Sequence, residues 1–536
     1  MPKIKINGVE GEFQAGTKII DACREVGIEI PHFCYHPRLS IAGSCRMCQV
    51  EVEQNGRGGL MLSCSTPVAD GMEVFTDTEA VLKARKAVLE FLLINHPLDC
   101  PICDDAGECK LQNYYLRHDL QKSRMSDPKW KKHKAVDLGP HIVLDSERCV
   151  LCSRCVRFMQ EFEGKGQLGI FNNGSRSELG ALPGKKLEGD YIGNIVDICP
   201  VGALTDKRFR FKRRVWYLKS VDSICPGCSK GCNIEIQFDI HHDWKSNGSR
   251  IMRFKPRYNH DVNGYFICDR GRYSWDYIDS PDRLLAPLVS GEGELVEADW
   301  DTALVKMAKG MKEASSAANR AKSAIIVAPA LYTGALFMLQ KLVEKMGISN
   351  IDYRLPDVKK GEYDGKLKMN DLYPNSYSAK IIGLVPGEGG KSVSQIFEGI
   401  KSGNIKYLTC IACDPAEYLG EDGLLALKKL KFFGLMHWTK TPSTAVANVS
   451  LPIATFTEVN GVFINYEGRI QRCFAAFEPK GLSKPAWQAI LLLGREMGYK
   501  FKAFSEGELF HEFTNKHEDY KDYSWDTIGR QGVLLK

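Results

Sequence analysis

The stretch HPLDCPICDDAGEC, residues 96–109, places one histidine and three cysteines at short spacing. The candidate ligands in it are His96, Cys100, Cys103 and Cys109. An amphipathic pattern from Thr78 to about Asn95 predicts a helix that leads into this stretch, and Pro97 is expected to end that helix. Because thiolates and neutral imidazoles are both good ligands, the spacing indicates a metal-binding segment.

Cysteines are concentrated in the first half of the chain. Of 19 cysteines in 536 residues, 16 lie in residues 1–268. The length predicts three or four domains, and the 26% charged and 10% aromatic residues exclude wholesale disorder. No secretory or transit segment is recognisable, and residues 323–339 fit a strand, a turn and a helix start better than a membrane span. We therefore expect a soluble intracellular protein, in which dense cysteines bind metals more often than they form disulfides.

The formal net charge of +6 is small for a chain of this length. Dense Lys/Arg runs occur only at residues 129–134 and 208–214, and both lie beside cysteine motifs. Nucleic-acid binding requires basic residues clustered on one face, so we expect no nucleic-acid partner. Anionic metal clusters of total charge about −7 would offset the basic excess.

The first cysteine set consists of Cys34, Cys45, Cys48 and Cys64. Upstream, residues 3–13 predict a hairpin around Asn7-Gly8, and residues 42–48 pack small side chains around two of the cysteines. This segment resembles a plant-type [2Fe–2S] ferredoxin, although ten residues separate the first two cysteines where the plant type has about four. The resemblance implies a β-grasp domain with one [2Fe–2S] cluster. A four-cysteine zinc site is the alternative.

The second set, in residues 96–109, resembles the His/Cys₃ [4Fe–4S] segment of respiratory complex I and iron-only hydrogenases. Three features carry the resemblance: Asp99-Cys100-Pro101, Cys103 and Gly107-Glu108-Cys109. An imidazole in place of one thiolate makes such a cluster less negative and easier to reduce.

The third set consists of Cys149, Cys152 and Cys155, with Cys199-Pro200 far downstream. Zinc sites seldom use three cysteines spaced three apart, because their ligands usually come as two separated pairs. A triplet with a distant Cys-Pro resembles the bacterial ferredoxin pattern. Only one triplet is present, so we infer one [4Fe–4S] cluster here.

The fourth set consists of Cys225, Cys228, Cys232 and the distant Cys268. Pro226, Gly227 and Gly231 predict a loop tight enough to turn three thiolates toward one cluster. The set resembles the N-terminal [4Fe–4S] motif of molybdopterin oxidoreductases. A zinc ribbon is the alternative.

Four cysteines lie outside these sets: Cys23, Cys410, Cys413 and Cys473. Cys23 falls in a helix that is predicted from Thr17 to Glu25, and it is expected in the core. Cys410 and Cys413 end a predicted strand and have no second pair nearby. We interpret them as buried apolar residues rather than as a metal or redox pair.

After Cys268, short apolar strands alternate with helices, which predicts an α/β domain with a parallel sheet covered on both faces. The predicted strands are residues 324–328, 380–385 and 406–412, and the predicted helices are residues 301–314 and 334–346. Gly390-Lys391-Ser392 lacks the upstream glycine of a P-loop, and no G-x-G-x-x-G opens a helix after a strand. We therefore expect no NAD or flavin site in this chain.

Residues 451–471 resemble a recurring segment of molybdopterin oxidoreductases. Only 268 residues follow Cys268, which is too few for a complete pterin-binding framework. We therefore expect a truncated domain of that type without molybdopterin.

Taken in order, these modules resemble the family of large iron–sulfur subunits of respiratory complex I, the NADH:quinone oxidoreductase. The resemblance covers nearly the whole chain and is most specific over residues 34–268. It implies one [2Fe–2S] and three [4Fe–4S] clusters, and an oxidoreductase subunit without catalytic residues of its own. Electrons would arrive from an NADH/FMN-binding subunit, pass the second and third sets, and leave toward quinone through a ferredoxin-like subunit. The fourth cluster is expected to be structural.

The same resemblance implies a peripheral position on the cytoplasmic face of the cell membrane, without a membrane span or a quinone site in this chain. The fold class is multidomain α+β and α/β. The expected domains are residues 1–78, 79–138, 139–217, 218–274 and 275–536. Two alternatives remain: the iron–sulfur subunit of a formate dehydrogenase or hydrogenase-type complex, and a zinc-rich binding module without enzymatic activity.

Overall fold

A computed structural model describes residues 1–118, 122–291, 294–355, 361–420 and 422–535. The chain divides into two compact units, Met1–Leu218 and Lys219–Lys536.

The first unit begins with a sheet in the order β2-β1-β5-β3-β4. Its elements are β1 (Lys3–Ile6), β2 (Val9–Glu12), α1 (Ile19–Glu25), β3 (Gln49–Gln54), β4 (Arg57–Leu62) and β5 (Met72–Phe75). The predicted hairpin at Asn7-Gly8 forms, and both turn residues have left-handed backbone. β1 pairs in parallel with β5, and α1 packs its buried residues Ile19, Ile20 and Cys23 into the same core. This is the arrangement expected of the N-terminal domain.

Two helices follow, α2 (Glu79–Leu93) and α3 (Lys110–His118). The hydroxyl of Thr78 caps α2 by accepting a hydrogen bond from the Val81 N–H at 3.3 Å. The predicted helix is therefore confirmed, and it ends shortly before Pro97. Buried Val81, Arg85 and Leu89 form its inner face.

The remainder of the first unit is built from short elements around cysteine loops. They are β6 (Val136–Asp137), β7 (Ile142–Leu144), α4 (Arg154–Glu161), β8 (Leu168–Phe171), β9 (Glu178–Ala181), α5 (Asn194–Ile198) and β10 (Leu204–Asp206). β7 lies between β6 and β10, and β8 forms a hairpin with β9.

The second unit starts with an antiparallel sheet of β11 (Lys219–Ile224), β12 (Asn233–Phe238) and β13 (Ile251–Pro256), followed by α6 (Asp269–Tyr273). The loop between β11 and β12 carries three cysteines of the fourth set. Cys268 immediately precedes α6 and caps it, because its thiol accepts a hydrogen bond from the Gly271 N–H at 3.4 Å.

The rest of the second unit is α/β. Its elements are β14 (Leu288–Ser290), β15 (Leu295–Glu297), α7 (Trp300–Ala314), β16 (Ser323–Val327), α8 (Thr333–Met346), β17 (Ile351–Asp352), α9 (Ser376–Ile382), α10 (Val393–Lys401), β18 (Tyr407–Ile411), α11 (Ala416–Leu419), α12 (Gly423–Lys428), β19 (Phe432–His437), β20 (Val449–Pro452), β21 (Gly461–Ile464), β22 (Arg469–Cys473), α13 (Ala486–Glu496), α14 (Glu506–Lys516) and β23 (Val533–Leu534).

Its main sheet has the order β15-β14-β20-β19-β18-β16-β17. The strands from β20 to β17 pair in parallel, whereas β14 and β15 form an antiparallel edge. Every residue of β16, β18 and β19 is buried, as in parallel strands covered on both faces. The predicted α/β domain is confirmed.

One predicted strand, residues 380–385, is wrong. The chain there forms the end of α9, whose buried Ser378, Ala379 and Ile382 lie on one helical face, and Gly383 ends the helix with a φ of +83°. A short apolar run fits a strand and a buried helix end equally well.

Downstream, Ser392 caps α10 in a capping box with Gln395, so this serine has a structural role.

Among the helices that the structure describes, none is both long enough and apolar enough to cross a membrane.

Candidate iron–sulfur centres

The first cysteine set surrounds the loop that enters β3. Left-handed backbone at Arg46, with a φ of +58°, curls this loop between two of the cysteines. The thiols contact each other in pairs, Cys34 with Cys45 and Cys48 with Cys64. These contacts lower the pKa values of Cys34 and Cys48. They raise the pKa values of the partner thiols Cys45 and Cys64. The fold thus brings all four predicted residues into one place.

A buried cation lies beside the first set. Arg85 of α2 is 3% exposed, and its Nη2 donates a hydrogen bond to the Gln49 carbonyl at 3.1 Å. Burial lowers the pKa of Arg85, and the nearby Cys48 acts in the opposite direction. A buried guanidinium near Cys48 suits an anionic group at this position.

The second set lies between α2 and α3. Left-handed Gly107, with a φ of +95°, turns the chain back so that Cys109 directly precedes α3. Burial lowers the pKa of His96 to about 4, so its imidazole is neutral, which a ligand requires. Burial, with smaller effects from Asp105 and Cys103, raises the pKa of Cys109 to about 12.

Exposure differs within the second set. Cys100 is exposed, Cys103 is half-buried and Cys109 is buried. The charge of Arg148 acts on both His96 and Cys103.

The third set lines one cavity. Cys149, Cys152, Cys155 and Cys199 all border it, and Ile170, Leu179 and Val201 complete an apolar wall. Leu151 and Ser153 have left-handed backbone, with φ values of +52° and +58°, which coils the triplet tightly. The Leu151 N–H points at the Cys149 sulfur at 3.4 Å. Four thiols around an apolar cavity with an N–H aimed at sulfur fit an iron–sulfur cluster.

The fourth set is buried in the second unit. Cys225, Cys228, Cys232 and Cys268 are each 5% exposed or less. Burial raises the pKa of Cys268 to about 11, with a further effect from Cys228. N–H groups of Gly227 and Gly271 point at the sulfurs of Cys225 and Cys268, both at 3.4 Å. A Cβ at position 271 would come within 2.8 Å of the Cys225 sulfur, so glycine is required for this approach.

Every cysteine in the described ranges is a free thiol. Within those ranges, no three or more His, Cys, Asp or Glu side chains are grouped so as to hold a single metal ion. The fit to clusters rests instead on the cavity of the third set, the sulfur-directed N–H groups and the buried cations. Because burial keeps most of these thiols protonated, cluster assembly would release protons.

Cysteines of the first three sets share one apolar cluster. Cys34, Cys109 and Cys152 are buried in it, and Cys45, Cys149 and Cys199 border it. Phe33 and Val201 pack among them. The Lys110 N–H also donates to the Pro200 carbonyl at 3.0 Å, directly behind Cys109 and Cys199. The three sets are therefore neighbours in a water-poor environment.

Sequence reasoning missed the charged residues that connect these sets. Asp99 and Arg148 form an ion pair, and Arg154 and Arg157 of α4 contact the carbonyls of cysteine-loop residues. Their positions within two residues of candidate ligand cysteines are a local signal. Their partners lie 49 to 123 positions away, which no local pattern reveals.

The four leftover cysteines are buried. Cys23 lies in the core of the first sheet, and Cys473 lies in β22. The thiols of Cys410 and Cys413 contact each other at the end of β18. Burial raises the pKa values of Cys23 and Cys473 to about 12, as expected for unreactive core thiols.

Family models match most of the chain. Residues 2–79 match a 2Fe-2S iron-sulfur cluster binding domain, residues 85–124 an NADH-ubiquinone oxidoreductase-G iron-sulfur binding region, and residues 139–205 the ferredoxin-like domain of NADH-quinone oxidoreductase subunit 3. Residues 218–280 match the molybdopterin oxidoreductase Fe4S4 domain, and residues 283–379 and 359–495 match molybdopterin oxidoreductase. The expected mixture of modules is confirmed.

Curated relatives carry the same modules. The G subunit of NADH-quinone oxidoreductase from Rickettsia felis is 40% identical over 368 residues, 68% of this chain and 52% of the relative. The NADH-ubiquinone oxidoreductase 75 kDa subunit of Reclinomonas americana is 39% identical over 351 residues, 66% of this chain and 49% of the relative. A chain of an NAD+-reducing [NiFe]-hydrogenase crystal structure is 31% identical, with a TM-score of 0.36 over 40% of this chain and 91% of that chain.

The chain spans about half the length of the curated relatives it matches. The match to the Rickettsia felis relative extends over two thirds of this chain, and the iron–sulfur family models coincide with the four cysteine sets. Over about two thirds of its length, the chain is therefore similar to NADH-quinone oxidoreductase G subunits and to the 75 kDa subunits.

Proposed function

We propose that this chain is the electron-relay subunit of an NADH:quinone oxidoreductase. The observation that carries the proposal is the apolar cluster in which cysteines of the first three sets lie together. Bound iron–sulfur clusters would accept and release single electrons. The chain's own residues hold these sites close together, exclude water from them and supply compensating positive charge.

Sixteen side chains would be the ligands. The first set, Cys34, Cys45, Cys48 and Cys64, would hold a [2Fe–2S] cluster. Three [4Fe–4S] clusters would be held by His96, Cys100, Cys103 and Cys109; by Cys149, Cys152, Cys155 and Cys199; and by Cys225, Cys228, Cys232 and Cys268. The contacting thiols of the first set and the shared cavity of the third support these assignments.

The five segments given by the sequence would be the domains that carry these sites. Their proposed limits are residues 1–78, 79–138, 139–217, 218–274 and 275–536. The limits of the family models and the division after Leu218 support them. The last segment would serve as a scaffold without molybdopterin.

The fourth site would be structural. Its loop is attached to distant parts of the second unit, because the Ser229 N–H donates to the Asp371 carbonyl at 2.9 Å. Asn465 and Gln471 donate from their side chains to the carbonyls of Lys230 and Gly231, at 3.2 and 3.0 Å. A cluster held in this loop would fasten the α/β domain together.

The partners would be an NADH/FMN-binding subunit and a ferredoxin-like subunit, at the cytoplasmic face of the membrane. Exposed Leu98 and Ile102 flank the exposed Cys100, which suits a surface that a partner covers. Leu98→Glu should release a co-purifying partner without loss of iron. Leu425→Glu, at another exposed leucine, in α12, is the control.

Iron and acid-labile sulfide analysis of the anaerobically purified protein tests the proposal. We expect about 14 iron atoms per chain, two plus three times four. Zinc without sulfide would contradict the proposal and favour the zinc-rich binding module.

His96→Ala should alter the redox signal of one [4Fe–4S] cluster alone, whereas His118→Ala, at the end of α3, should leave all signals unchanged.

A further inference from the structure

We propose that Arg154 and Arg157 form a cationic bridge between the first and third cysteine sets, one that raises the reduction potentials of both bound clusters together. This inference rests on the proposed function, since it assumes that both sets hold clusters. It assigns to two residues of α4 a positioning role in the relay.

Arg157 connects the two sets through one guanidinium. Its Nη2 donates to the Cys34 carbonyl at 2.5 Å and to the Cys152 carbonyl at 3.3 Å. Its Nη1 donates to the Ser40 carbonyl in the first domain. A single rigid, planar group therefore contacts the backbone of a candidate ligand from each set.

Arg154 makes a second connection one helical turn earlier. Its Nη1 donates to the Ile198 carbonyl at 3.0 Å, immediately before Cys199, and its Nη2 donates to the Tyr35 carbonyl, immediately after Cys34. The two arginines together fasten both cysteine loops to α4. A change in either side chain should therefore alter the spacing between the sets.

Both guanidiniums carry buried charge without a matching carboxylate. Arg154 is 4% and Arg157 is 8% exposed, and throughout the described residues neither forms an ion pair with Asp or Glu. The nearby Glu161 binds the N–H and hydroxyl groups of Ser40 instead. Because unpaired buried charge is costly, an anionic group is expected nearby, and two iron–sulfur clusters would satisfy this.

The electrostatic interactions already extend across both sets. The charges of Cys34, Cys152 and Cys199 all act on Arg154, and both arginines act on Cys152. A nearby positive charge stabilises an added electron, so it raises a reduction potential. Because the arginines lie between the two sets, their removal should lower both potentials.

An EPR-monitored redox titration of the anaerobically purified full-length holoprotein tests this bridge. Arg157→Gln should shift the midpoint potentials of the binuclear signal and of one tetranuclear signal to more negative values. Arg157→Lys keeps the charge, so both potentials should remain close to those of the unaltered protein. Arg85→Gln, beside the first set alone, should shift only the binuclear signal.

A shift of one signal or of neither in Arg157→Gln would overturn the bridge, as would equal shifts in the Gln and Lys variants. If Arg157→Gln loses both signals, their recovery in Arg157→Lys at unchanged potentials supports it. Loss in both variants overturns it, since a purely structural arginine then explains the result. Absence of these signals from the unaltered protein would instead refute the proposed function.

Discussion

The Asp99 carboxylate accepts a hydrogen bond from Arg148 Nη2 at 2.9 Å, and these two residues directly precede Cys100 and Cys149. Lys134 donates to the same Asp99 oxygen at 2.5 Å. Both partners of the pair are mostly buried, with side-chain exposures of 17% and 5%. This ion pair therefore connects the backbone at Cys100, in the second set, to the backbone at Cys149, in the third set.

Asp99→Asn should destabilise both sets at once. It removes one of the two carboxylates that pair with buried Arg148, whose Nε stays 3.2 Å from Asp145, so we expect a loss on the order of 2 kcal/mol. Thermal unfolding and iron content of the purified protein measure the effect. Asp137→Asn is the control, because Asp137 pairs with Lys186 and Lys207 at the surface, where ion pairs contribute little. Equal effects of the two changes would contradict the assigned role of Asp99.

Gly202→Ala should disrupt the second set selectively. A Cβ at this position would overlap the Cys103 sulfur and lie 3.0 Å from the Asp105 Cβ. With Cys103 as a proposed ligand, its sulfur could not move aside, so about 10 of 14 iron atoms should remain, with one tetranuclear signal missing. Gly59→Ala, in β4 where a Cβ meets nothing within 4 Å, should retain all the iron. Full iron retention in Gly202→Ala would contradict the position assigned to Cys103.

Cys228→Ser should lower stability more than electron transfer. The loop of the fourth set is attached to residues near 371 and 465–471, so loss of its cluster should expose the second unit to proteolysis. The other three sets should keep their signals. Cys473→Ser is the control, since it alters a buried cysteine outside the four sets and should not change the iron content. Selective loss of electron transfer with unchanged stability would refute a structural fourth site.

Glu506 should make unfolding depend on pH. Its Oε1 accepts a hydrogen bond from the Gly334 N–H at 2.8 Å, and its Oε2 has no partner in the described part of the chain. Burial raises the pKa of Glu506 to about 8, against about 4.3 when unfolded. Its stabilising contribution is complete below about pH 4, decreases as pH rises and levels off above about pH 8.

Melting temperatures measured across this range should fall for the unaltered protein and vary less for Glu506→Gln. Over this pH range, the free energy of unfolding should decrease by a few kcal/mol more in the unaltered protein than in the variant, because each unit of pKa shift corresponds to about 1.4 kcal/mol. The exposed Glu512→Gln should keep the original slope. An unchanged slope in Glu506→Gln would contradict the neutral buried carboxyl.

Local patterns are sufficient for the elements that begin or end on strong signals. The hairpin at Asn7-Gly8 and the helix capped by Thr78 both depend on neighbours a few positions away. The same holds for cysteine spacing, since a loop of three nearby thiols is a local feature. Residues 380–385 lack such a signal. Their helical conformation depends on the burial of one face of α9, which is a tertiary contact.

The connections between the sites are not predictable in this way. Arg157 reaches the Cys34 carbonyl over 123 positions, and Arg148 reaches Asp99 over 49. These contacts depend on how separate segments pack, and an arginine beside a cysteine could equally face solvent. The cysteine motifs therefore predict the individual sites, whereas the fold reveals that the first three are neighbours.

Low-temperature EPR of the reduced, anaerobically purified protein tests the central claim most directly, namely that four sets of ligands hold four clusters. We expect one binuclear and three tetranuclear signals. A protein that contains zinc and gives no iron–sulfur signal would contradict the account.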